Sequence, residues 1–227
     1  MSYLIQQVLT SEEVSEVRNI LNSSTQWADG MSTVVNPSNF YKEIKVCYNL
    51  NESCNEYREA SSIVYEGLDK CAGFIEHTIP STSGPIIYSK TPEGGFYKPH
   101  HDDPSNGEYS NTLFLSDPLE YSGGQLSLLI NGEVKNFKLK PGMMITYPIG
   151  TPHEVKQVTR GTREVAVFWT HSKFKDELLR SVYGDGLRCL KLIGDYEVFS
   201  NIEEAYNHPT FVLRKLLNNL EKLNQRL

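Results

Sequence analysis

The segment 85–172 places the strongest limits on the fold, because its apolar residues recur with a period of two in short runs between turn residues. Asn131-Gly132 separates the runs 125–130 and 133–139, and this dipeptide is the strongest short-range signal for a β-hairpin. Pro141-Gly142 suits the two central positions of a type II turn before the next run. Many short strands joined by tight turns favour a jelly-roll, cupin-like barrel over a parallel sheet.

Helical periodicity flanks the strand-rich segment on both sides. Thr10 and Glu13 form the pattern of a capping box, and apolar residues spaced by three and four follow it. The stretch 53–77 predicts one long amphipathic helix that buttresses a sheet. Helical spacing returns at 174–182 and in a leucine stripe over 213–223, for which packing on the barrel is favoured over dimerisation. We therefore predict an α+β fold, with a double-stranded β-helix core between N-terminal and C-terminal helices.

Length and composition fit a single domain. A chain of 227 residues that is 39% hydrophobic can bury a sizeable core. We divide it into an N-terminal support (1–84), a jelly-roll core (85–172) and a C-terminal helical extension (173–227). The stretch 27–40 has no periodicity and is rich in turn residues, which predicts a long loop; a lid over a site is one role for it.

Composition also limits partners and compartment. The N-terminus has no basic leader, and no apolar run approaches the ~20 residues that span a bilayer, so we expect a cytoplasmic protein without a membrane anchor. The net charge is -6 and no basic arm is present, which disfavours nucleic acid as a partner. The four cysteines form no Cys-x-x-Cys pair, as is typical of free thiols in a reducing compartment. We expect a monomer or a homodimer.

A histidine and an aspartate separated by one residue stand near the start of the strand-rich segment. On an extended strand, residues i and i+2 share a side, so His100 and Asp102 would present an imidazole nitrogen and a carboxylate oxygen together. His101 and Asp103 satisfy the same rule on the opposite face, and the spacing alone does not decide between the two pairs. A second histidine would complete a 2-His-1-carboxylate set, which is the arrangement of non-haem Fe(II) oxygenases.

His153 and Arg163 are the downstream candidates. His153 follows a turn and opens a short strand. The strand after the next turn carries Arg163, and three residues share its face: Val165, Val167 and Trp169. Because that face is mostly apolar it should be interior, where a guanidinium needs an anionic partner. An internal ion pair with Asp102 or Glu164 and a dicarboxylic cosubstrate satisfy this need equally well.

Several motifs follow one another in a fixed order. They are Tyr97-x-x-His100-x-Asp102, the run 112–118, the run 121–126, Tyr147-Pro148, His153 and Thr159-Arg160-Gly161-x-Arg163. In this order they resemble the PKHD-type branch of the Fe(II)/2-oxoglutarate dioxygenases, relatives of prolyl 4-hydroxylases. A fainter likeness reaches the N-terminus through Trp27-x-Asp29-Gly30. The resemblance implies an oxidoreductase that hydroxylates an unactivated C–H bond with Fe(II), 2-oxoglutarate and O2, with ascorbate as a further candidate cofactor.

The resemblance also implies roles for individual residues. It implies three catalytic metal ligands: His100, Asp102 and His153. His101 and Asp103 would then face away from the metal. It implies cosubstrate contacts from four residues: Arg163, Tyr97, Tyr88 and Lys90. Of these, Arg163 would bind the C5 carboxylate of 2-oxoglutarate and Tyr97 would line the pocket. The segment 89–95 departs from the usual Asn-x-Tyr-x-x-Gly pattern, which leaves the second carboxylate contact open.

The substrate is not fixed by these motifs. Kinship with prolyl hydroxylases suggests a prolyl residue of a peptide or protein, and a small molecule or free amino acid is the alternative. A zinc hydrolase could use the same ligands, but the sequence offers no general base such as the glutamate of His-Glu-x-x-His. A non-catalytic jelly-roll binding protein is a further alternative, against which the complete ligand set argues.

Overall fold

The computed structural model describes residues 3–33, 44–194 and 201–225, and most strands of this part belong to two antiparallel sheets. The larger sheet contains β1 (Leu4–Gln7), β2 (Trp27–Asp29), β4 (Tyr48–Leu50), β5 (Pro80–Ser83), β6 (Ile87–Thr91), β8 (Tyr109–Phe114), β12 (Met143–Pro148) and β15 (Arg163–Ser172). The smaller sheet contains β3 (Lys45–Val46), β7 (Phe96–His100), β10 (Leu126–Ile130), β11 (Glu133–Phe137) and β13 (His153–Val155). A separate pair is formed by β9 (Ser122–Gly123) and β14 (Val158–Arg160). The two sheets and this pair together form the predicted double-stranded β-helix.

Along the chain, the helices lie on either side of the segment 85–172, as the sequence predicts, but with different bounds. They are α1 (Ser11–Ser23), α2 (Asn55–Lys70), α3 (Ala72–Thr78), α4 (Glu177–Ile193), α5 (Ile202–Asn207) and α6 (Pro209–Asn224). The single helix expected over 53–77 is therefore wrong: the backbone of Cys71, with ψ 85, leaves the helical region and separates α2 from α3. The helix expected over 174–182 starts later, capped by Asp176, and runs on to Ile193.

The local signals that specified turns and caps are confirmed. Thr10 and Glu13 form the reciprocal capping box of α1. Asn131 and Gly132, with φ of 53° and 81°, make the left-handed turn that joins β10 to β11 in a hairpin. Gly142 has φ 80°, as the third residue of a type II turn requires.

The larger sheet is buried on both faces, and alternation along β15 divides its side chains between them. Ala166 and Phe168 face the helices, where they join one cluster with Val17 of α1 and Val64 of α2. Val165 faces the smaller sheet and joins a second cluster with side chains of β8, β10, β11 and β12. Arg163, at the start of β15, therefore points between the sheets, as its position in the sequence predicts.

The C-terminal helices form a layer of their own. Leu217 of α6 packs with Tyr183 and Leu190 of α4 and with Phe174. The leucine stripe thus packs mainly against α4 rather than directly on the barrel, and Leu216 remains 51% exposed. Within the described ranges, no helix is long and apolar enough to cross a membrane.

The loop predicted over 27–40 is only partly comparable with the structure. Residues 27–29 form β2, which pairs with β4, and Gly30–Thr33 is a short 3-10 helix. This part of the prediction is wrong, because β4 supplies backbone partners that the local sequence does not reveal. Residues 34–40, and with them most of the suggested lid, lie outside the described residues.

Candidate metal centre and cosubstrate pocket

Two histidines and one aspartate converge in a cavity between the two sheets. His100 ends β7, His153 begins β13, and the two residues are paired across the smaller sheet. The ligand atoms of His100, Asp102 and His153 all lie within 4.8 Å of one another. Asp102 lies beyond the end of β7, so the strand alternation used above is not what brings it to His100.

Hydrogen bonds fix the orientation of all three side chains. The Nδ1 atoms of His100 and His153 lie 2.8 Å and 2.9 Å from the backbone carbonyls of Lys98 and Thr151. Because a carbonyl only accepts, each Nδ1 carries the proton and each Nε2 presents its lone pair. The hydroxyl of Ser110 donates to Oδ2 of Asp102 at 2.6 Å and holds the carboxylate.

The ligand atoms face one another across a gap rather than bonding to each other. The Nε2 atoms of His100 and His153 lie 4.0 Å and 3.8 Å from the nearer carboxylate oxygens of Asp102, too far for hydrogen bonds. Burial, then repulsion by His153, lowers the pKa of His100 to about 4, so its imidazole is neutral at pH 7. Two imidazoles and one carboxyl group that converge on a gap fit the donor set of an Fe(II) centre.

Aromatic rings support both histidines. The ring of Tyr97 stacks on His100 with centroids 3.6 Å apart, and Tyr147 meets His153 edge-on at 5.4 Å. Tyr97 lines the pocket, as the family resemblance implies. Burial raises the pKa of Tyr147, so its hydroxyl stays neutral between Asp102 and Arg163, both of which act on it electrostatically.

Arg163 is a buried cation that lines the same cavity as the three metal-ligand candidates. It is 3% exposed, and this burial lowers the pKa of its guanidinium. Its guanidinium carbon lies 5.5 Å from the ring centroid of Phe114. Its Nε has no hydrogen-bond partner among the residues that the structure describes. A cation in this state is expensive to bury and is suited to bind an anion that enters the cavity.

Neither internal ion pair considered from the sequence is present in the described part of the chain. Glu164 faces the opposite side of β15, where it binds Arg18 at 2.9 Å and Lys90 at 3.5 Å. Asp102 faces the histidines and Ser110. Of the two explanations for a buried arginine, an external anion is the one that the geometry supports.

The suggested cosubstrate contacts of Tyr88 and Lys90 are corrected by the structure, since neither side chain lines the cavity. Tyr88 is fully buried on the helix side of β6, with its hydroxyl 3.4 Å from that of Ser61. Lys90 binds Asn22 at 2.7 Å, on the same outer side. The expected alternation of side chains along β6 was therefore wrong by one residue. Three other residues of this strand face the cavity: Ile87, Ser89 and Thr91.

Sequence reasoning missed several other residues of the pocket. They are Lys45, Cys47, Asn49, Ser89 and Thr91. Thr91 lies directly opposite Arg163 in the β6–β15 pairing, so pairing these two strands in sequence could have found it. Lys45 and Asn49 stand in the short strands β3 and β4, with Cys47 between them, and the sequence around these strands gives no periodic signal.

The cavity has a volume of about 480 Å³ and contains both the metal-ligand cluster and Arg163. Its walls include apolar side chains of β15, namely Val165 and Val167. Trp169 also lines it and pairs with Ser110, which holds Asp102. His101 and Asp103 border the cavity as well, but they are not part of the ligand cluster. The remaining histidines are elsewhere: His77 packs on Tyr109, His208 caps α6 and His171 is exposed.

Comparison with known proteins agrees with this geometry. The sequence pattern of the 2OG-Fe(II) oxygenase superfamily matches residues 86–171. A PKHD-type hydroxylase of Nitrobacter winogradskyi is 34% identical over 194 residues, 80% of this chain and 83% of that protein. A PKHD-type hydroxylase of Xanthomonas campestris is 31% identical over 220 residues, 92% of this chain and 91% of that protein.

Solved structures share the fold. One is a prolyl hydroxylase from Trichoplax adhaerens in complex with a hypoxia inducible factor oxygen degradation domain peptide fragment. Its TM-score is 0.59 at 20% identity, covering 78% of this chain and 86% of that one. Another is an oxidoreductase of the 2OG-Fe(II) oxygenase family from Burkholderia pseudomallei, with a TM-score of 0.56 at 13% identity, covering 75% and 85%.

The fold, the cavity and these relatives define a 2-oxoglutarate-dependent dioxygenase, an enzyme class that uses Fe(II), 2-oxoglutarate and O2. Within that class, the chain belongs to the PKHD-type hydroxylases.

Proposed function

We propose that His100, Asp102 and His153 hold Fe(II), that Arg163 binds the C5 carboxylate of 2-oxoglutarate, and that the enzyme hydroxylates an unactivated C–H bond. The observation that carries the proposal is one cavity in which three convergent ligand atoms and a buried arginine occur together. Bound Fe(II) would supply the O2-dependent oxidation, coupled to conversion of 2-oxoglutarate into succinate and CO2. The protein itself would bind and orient the reacting groups and limit the access of water to them.

The protein's own residues position and isolate the reacting groups. Backbone carbonyls keep the Nε2 lone pairs of both histidines directed inward, and Ser110 holds Asp102. The Arg163 fork offers two parallel donors to a carboxylate, which fixes the direction of a dicarboxylic acid in the cavity. Val165 and Val167 give that part of the cavity an apolar wall, which limits water around the bound cosubstrate.

A prolyl residue of a peptide or protein is our first candidate substrate. The support is the curated PKHD-type relatives and the fold shared with a prolyl hydroxylase that was solved with a peptide. A small molecule or a free amino acid is the alternative, since a cavity of about 480 Å³ accepts either. A succinate-coupled screen of proline-containing peptides, free amino acids and nucleosides discriminates between them.

The rivals of other classes predict different chemistry. A zinc hydrolase needs a positioned general base, but the acidic residues that line the cavity in the described part of the chain are Asp102 and Asp103, with no glutamate. A non-catalytic binding protein would not need all three ligands in oriented form. Metal analysis of protein produced with both iron and zinc tests the first rival, and turnover tests the second.

The direct test is the conversion of 2-oxoglutarate by purified protein supplied with Fe(II) and ascorbate. We expect slow succinate formation even without a second substrate. Asp102→Ala should abolish it by removing a metal ligand, whereas Asp103→Ala is the matched control that leaves the cluster intact. Succinate formation by Asp102→Ala equal to that of the wild type would contradict the ligand assignment.

The proposal also includes the cellular compartment of the enzyme and the reductant it uses. All four cysteines are free thiols, as a reducing compartment leaves them, and this supports a cytoplasmic location. Ascorbate would serve as a reductant that maintains Fe(II). Omitting it from the succinate assay should shorten the period of linear turnover.

A further inference from the structure

Cys47 brings a thiol into the cavity that contains Arg163. It stands between β3 and β4, where the chain passes from the smaller sheet to the larger one. The side chain is a free thiol, 6% exposed. Its Sγ lies 3.7 Å from Oδ1 of Asn49, and a Cβ added at Gly30 would lie 2.3 Å from the same sulfur. Protein packs against the sulfur on these sides, and a small molecule in the cavity can meet it.

Strand pairing puts this thiol in one row with Arg163. The register of β4 on β6, continued by one residue, sets Cys47 across from Thr91. Thr91 is paired in turn with Arg163 of β15. All three side chains line the cavity, and Cys47 acts electrostatically on Arg163. Because adjacent strands are about 4.8 Å apart, the thiol and the guanidinium extend from positions that a short molecule can bridge.

Arg163 is the carboxylate-binding group of this row. It is 3% exposed and its Nε has no partner among the described residues. The other lysine and acidic side chains of the cavity are Lys45, Asp102 and Asp103. Asp102 and Asp29 act on Lys45, Ser110 donates to Asp102, and the backbone of Ser105 donates to Asp103. These charges have partners of their own, and Thr91 and Cys47 add no carboxylate to the row.

We propose that Cys47 is a modification site that captures an α,β-unsaturated dicarboxylic acid covalently while one carboxylate of the acid is bound by Arg163. The proposal rests on the proposed function, because it uses Arg163 as the residue that binds one end of a dicarboxylic acid. The sulfur adds across the C=C bond: an S–C bond forms, the π bond breaks, and the thiol proton passes to the other alkene carbon. The step consumes no oxidant or reductant. The adduct occupies the place of 2-oxoglutarate and prevents its binding.

Two requirements select this class of ligand. A carboxylate has to reach the guanidinium while an electrophilic carbon reaches the thiol, and a four-carbon unsaturated diacid carries both in one rigid chain. It also has the length of succinate, which the enzyme forms in this cavity on the proposed function. Exposure alone would favour Cys189, an exposed thiol on α4, so a preference for Cys47 requires recognition in the cavity.

Labelling by fumarate and by its neutral diamide tests the proposal through mass spectrometry rather than turnover. The full chain with Fe(II), kept anaerobic, is incubated with either reagent, and the adducts at Cys47 and Cys189 are quantified after proteolysis. Cys189 reports the intrinsic reactivity of each reagent, so the ratio of the two sites isolates binding in the cavity. The proteins are the wild type, Cys47→Ser, Arg163→Met and Arg160→Met. Arg160 is a matched control because it is exposed on β14 and does not line the cavity.

We expect the Cys47-to-Cys189 ratio of the wild type to be at least about tenfold higher for fumarate than for the diamide, the size of a charge-assisted contact. Arg163→Met should bring the two ratios to within about twofold of each other, and Arg160→Met should keep them apart. Cys47→Ser should lose the adduct assigned to Cys47. Absence of a fumarate adduct at Cys47, equal ratios in the wild type, or a difference that survives in Arg163→Met would overturn the proposal.

Addition of 2-oxoglutarate distinguishes this proposal from the proposed function. Saturating 2-oxoglutarate should slow the labelling of Cys47 by fumarate and leave that of Cys189 unchanged. A wild type that binds 2-oxoglutarate but shows no such protection would overturn the capture site alone. A wild type that captures fumarate through Arg163 but does not bind 2-oxoglutarate would contradict the proposed function and still support capture at Cys47.

Discussion

Replacing Arg163 with methionine should change stability and cosubstrate binding in opposite directions. The side chain is 3% exposed, its Nε has no partner among the described residues, and burial lowers its pKa. Exchanging a buried charge for an apolar side chain of similar length is often stabilising by about 1–4 kcal/mol. For a chain of this size, each kcal/mol moves Tm by roughly 2–4 °C. We therefore expect Arg163→Met without cosubstrate to melt about 2–16 °C above the wild type.

The same change should remove most of the affinity for 2-oxoglutarate. A buried carboxylate that loses its charged partner costs about 3–5 kcal/mol, which corresponds to a Kd raised by roughly 10²–10³ or more. Calorimetric melting with and without 2-oxoglutarate measures both effects in one assay, because bound ligand raises Tm by linkage. The wild type should gain stability from 2-oxoglutarate, and Arg163→Met should not.

Arg180→Met is the control for this experiment. Arg180 is also buried, at 8% exposure, but its Nη1 donates to the carbonyl of Phe174 at 2.6 Å and its guanidinium lies 5.0 Å from the ring of Tyr109. Its loss leaves a carbonyl without its donor and should destabilise the protein by about 1–3 kcal/mol without affecting 2-oxoglutarate. A less stable Arg163→Met, or one that binds 2-oxoglutarate as the wild type does, would refute the reasoning.

Three further perturbations test other parts of the account. Ser110→Ala removes the 2.6 Å hydrogen bond to Asp102 and should weaken metal binding about tenfold in a competitive Mn(II) titration; unchanged affinity would show that the carboxylate needs no support. Burial lowers the pKa of His77 below 6.5, so the unfolded chain takes up the proton first and the free energy of unfolding falls as the pH drops through 6.5. His77→Phe should make the free energy of urea unfolding depend less on pH between 7.5 and 5.5, and a pH dependence equal to that of the wild type would exclude His77 as its source. Gly161→Ala should lower the free energy of unfolding by about 1–3 kcal/mol, since φ is +74° and a Cβ would lie 2.3 Å from a backbone oxygen. Gly94→Ala, where φ is +81° but no atom lies within 4 Å of the added Cβ, should lower it less in the same assay.

The sequence predicted most accurately those features that depend on neighbouring residues. The capping box at Thr10, the hairpin at Asn131-Gly132 and the inward face of β15 each follow from short-range chemistry or a period of two. Arg163 was found in this way, because three apolar neighbours on its strand face implied burial. The jelly-roll class followed from the number and spacing of such segments.

The errors concern features that depend on distant parts of the chain. β2 exists because β4 pairs with it, and the sequence around Trp27 does not reveal that partner. A shift of one residue along β6 assigned Tyr88 and Lys90 to the cavity, although Ser89 and Thr91 face it. Asp102 reaches the histidines from beyond the strand end, so its placement depends on a turn rather than on alternation.

Binding of Fe(II) and 2-oxoglutarate together tests the central claim most directly. Under anaerobic conditions, adding 2-oxoglutarate to the protein with Fe(II) should produce a visible charge-transfer absorption band that saturates at one equivalent of each. The band should be absent from Asp102→Ala and should require far more 2-oxoglutarate in Arg163→Met. A wild-type protein that gives no band, or an Asp102→Ala variant that gives the full band, would contradict the assignment of this cavity.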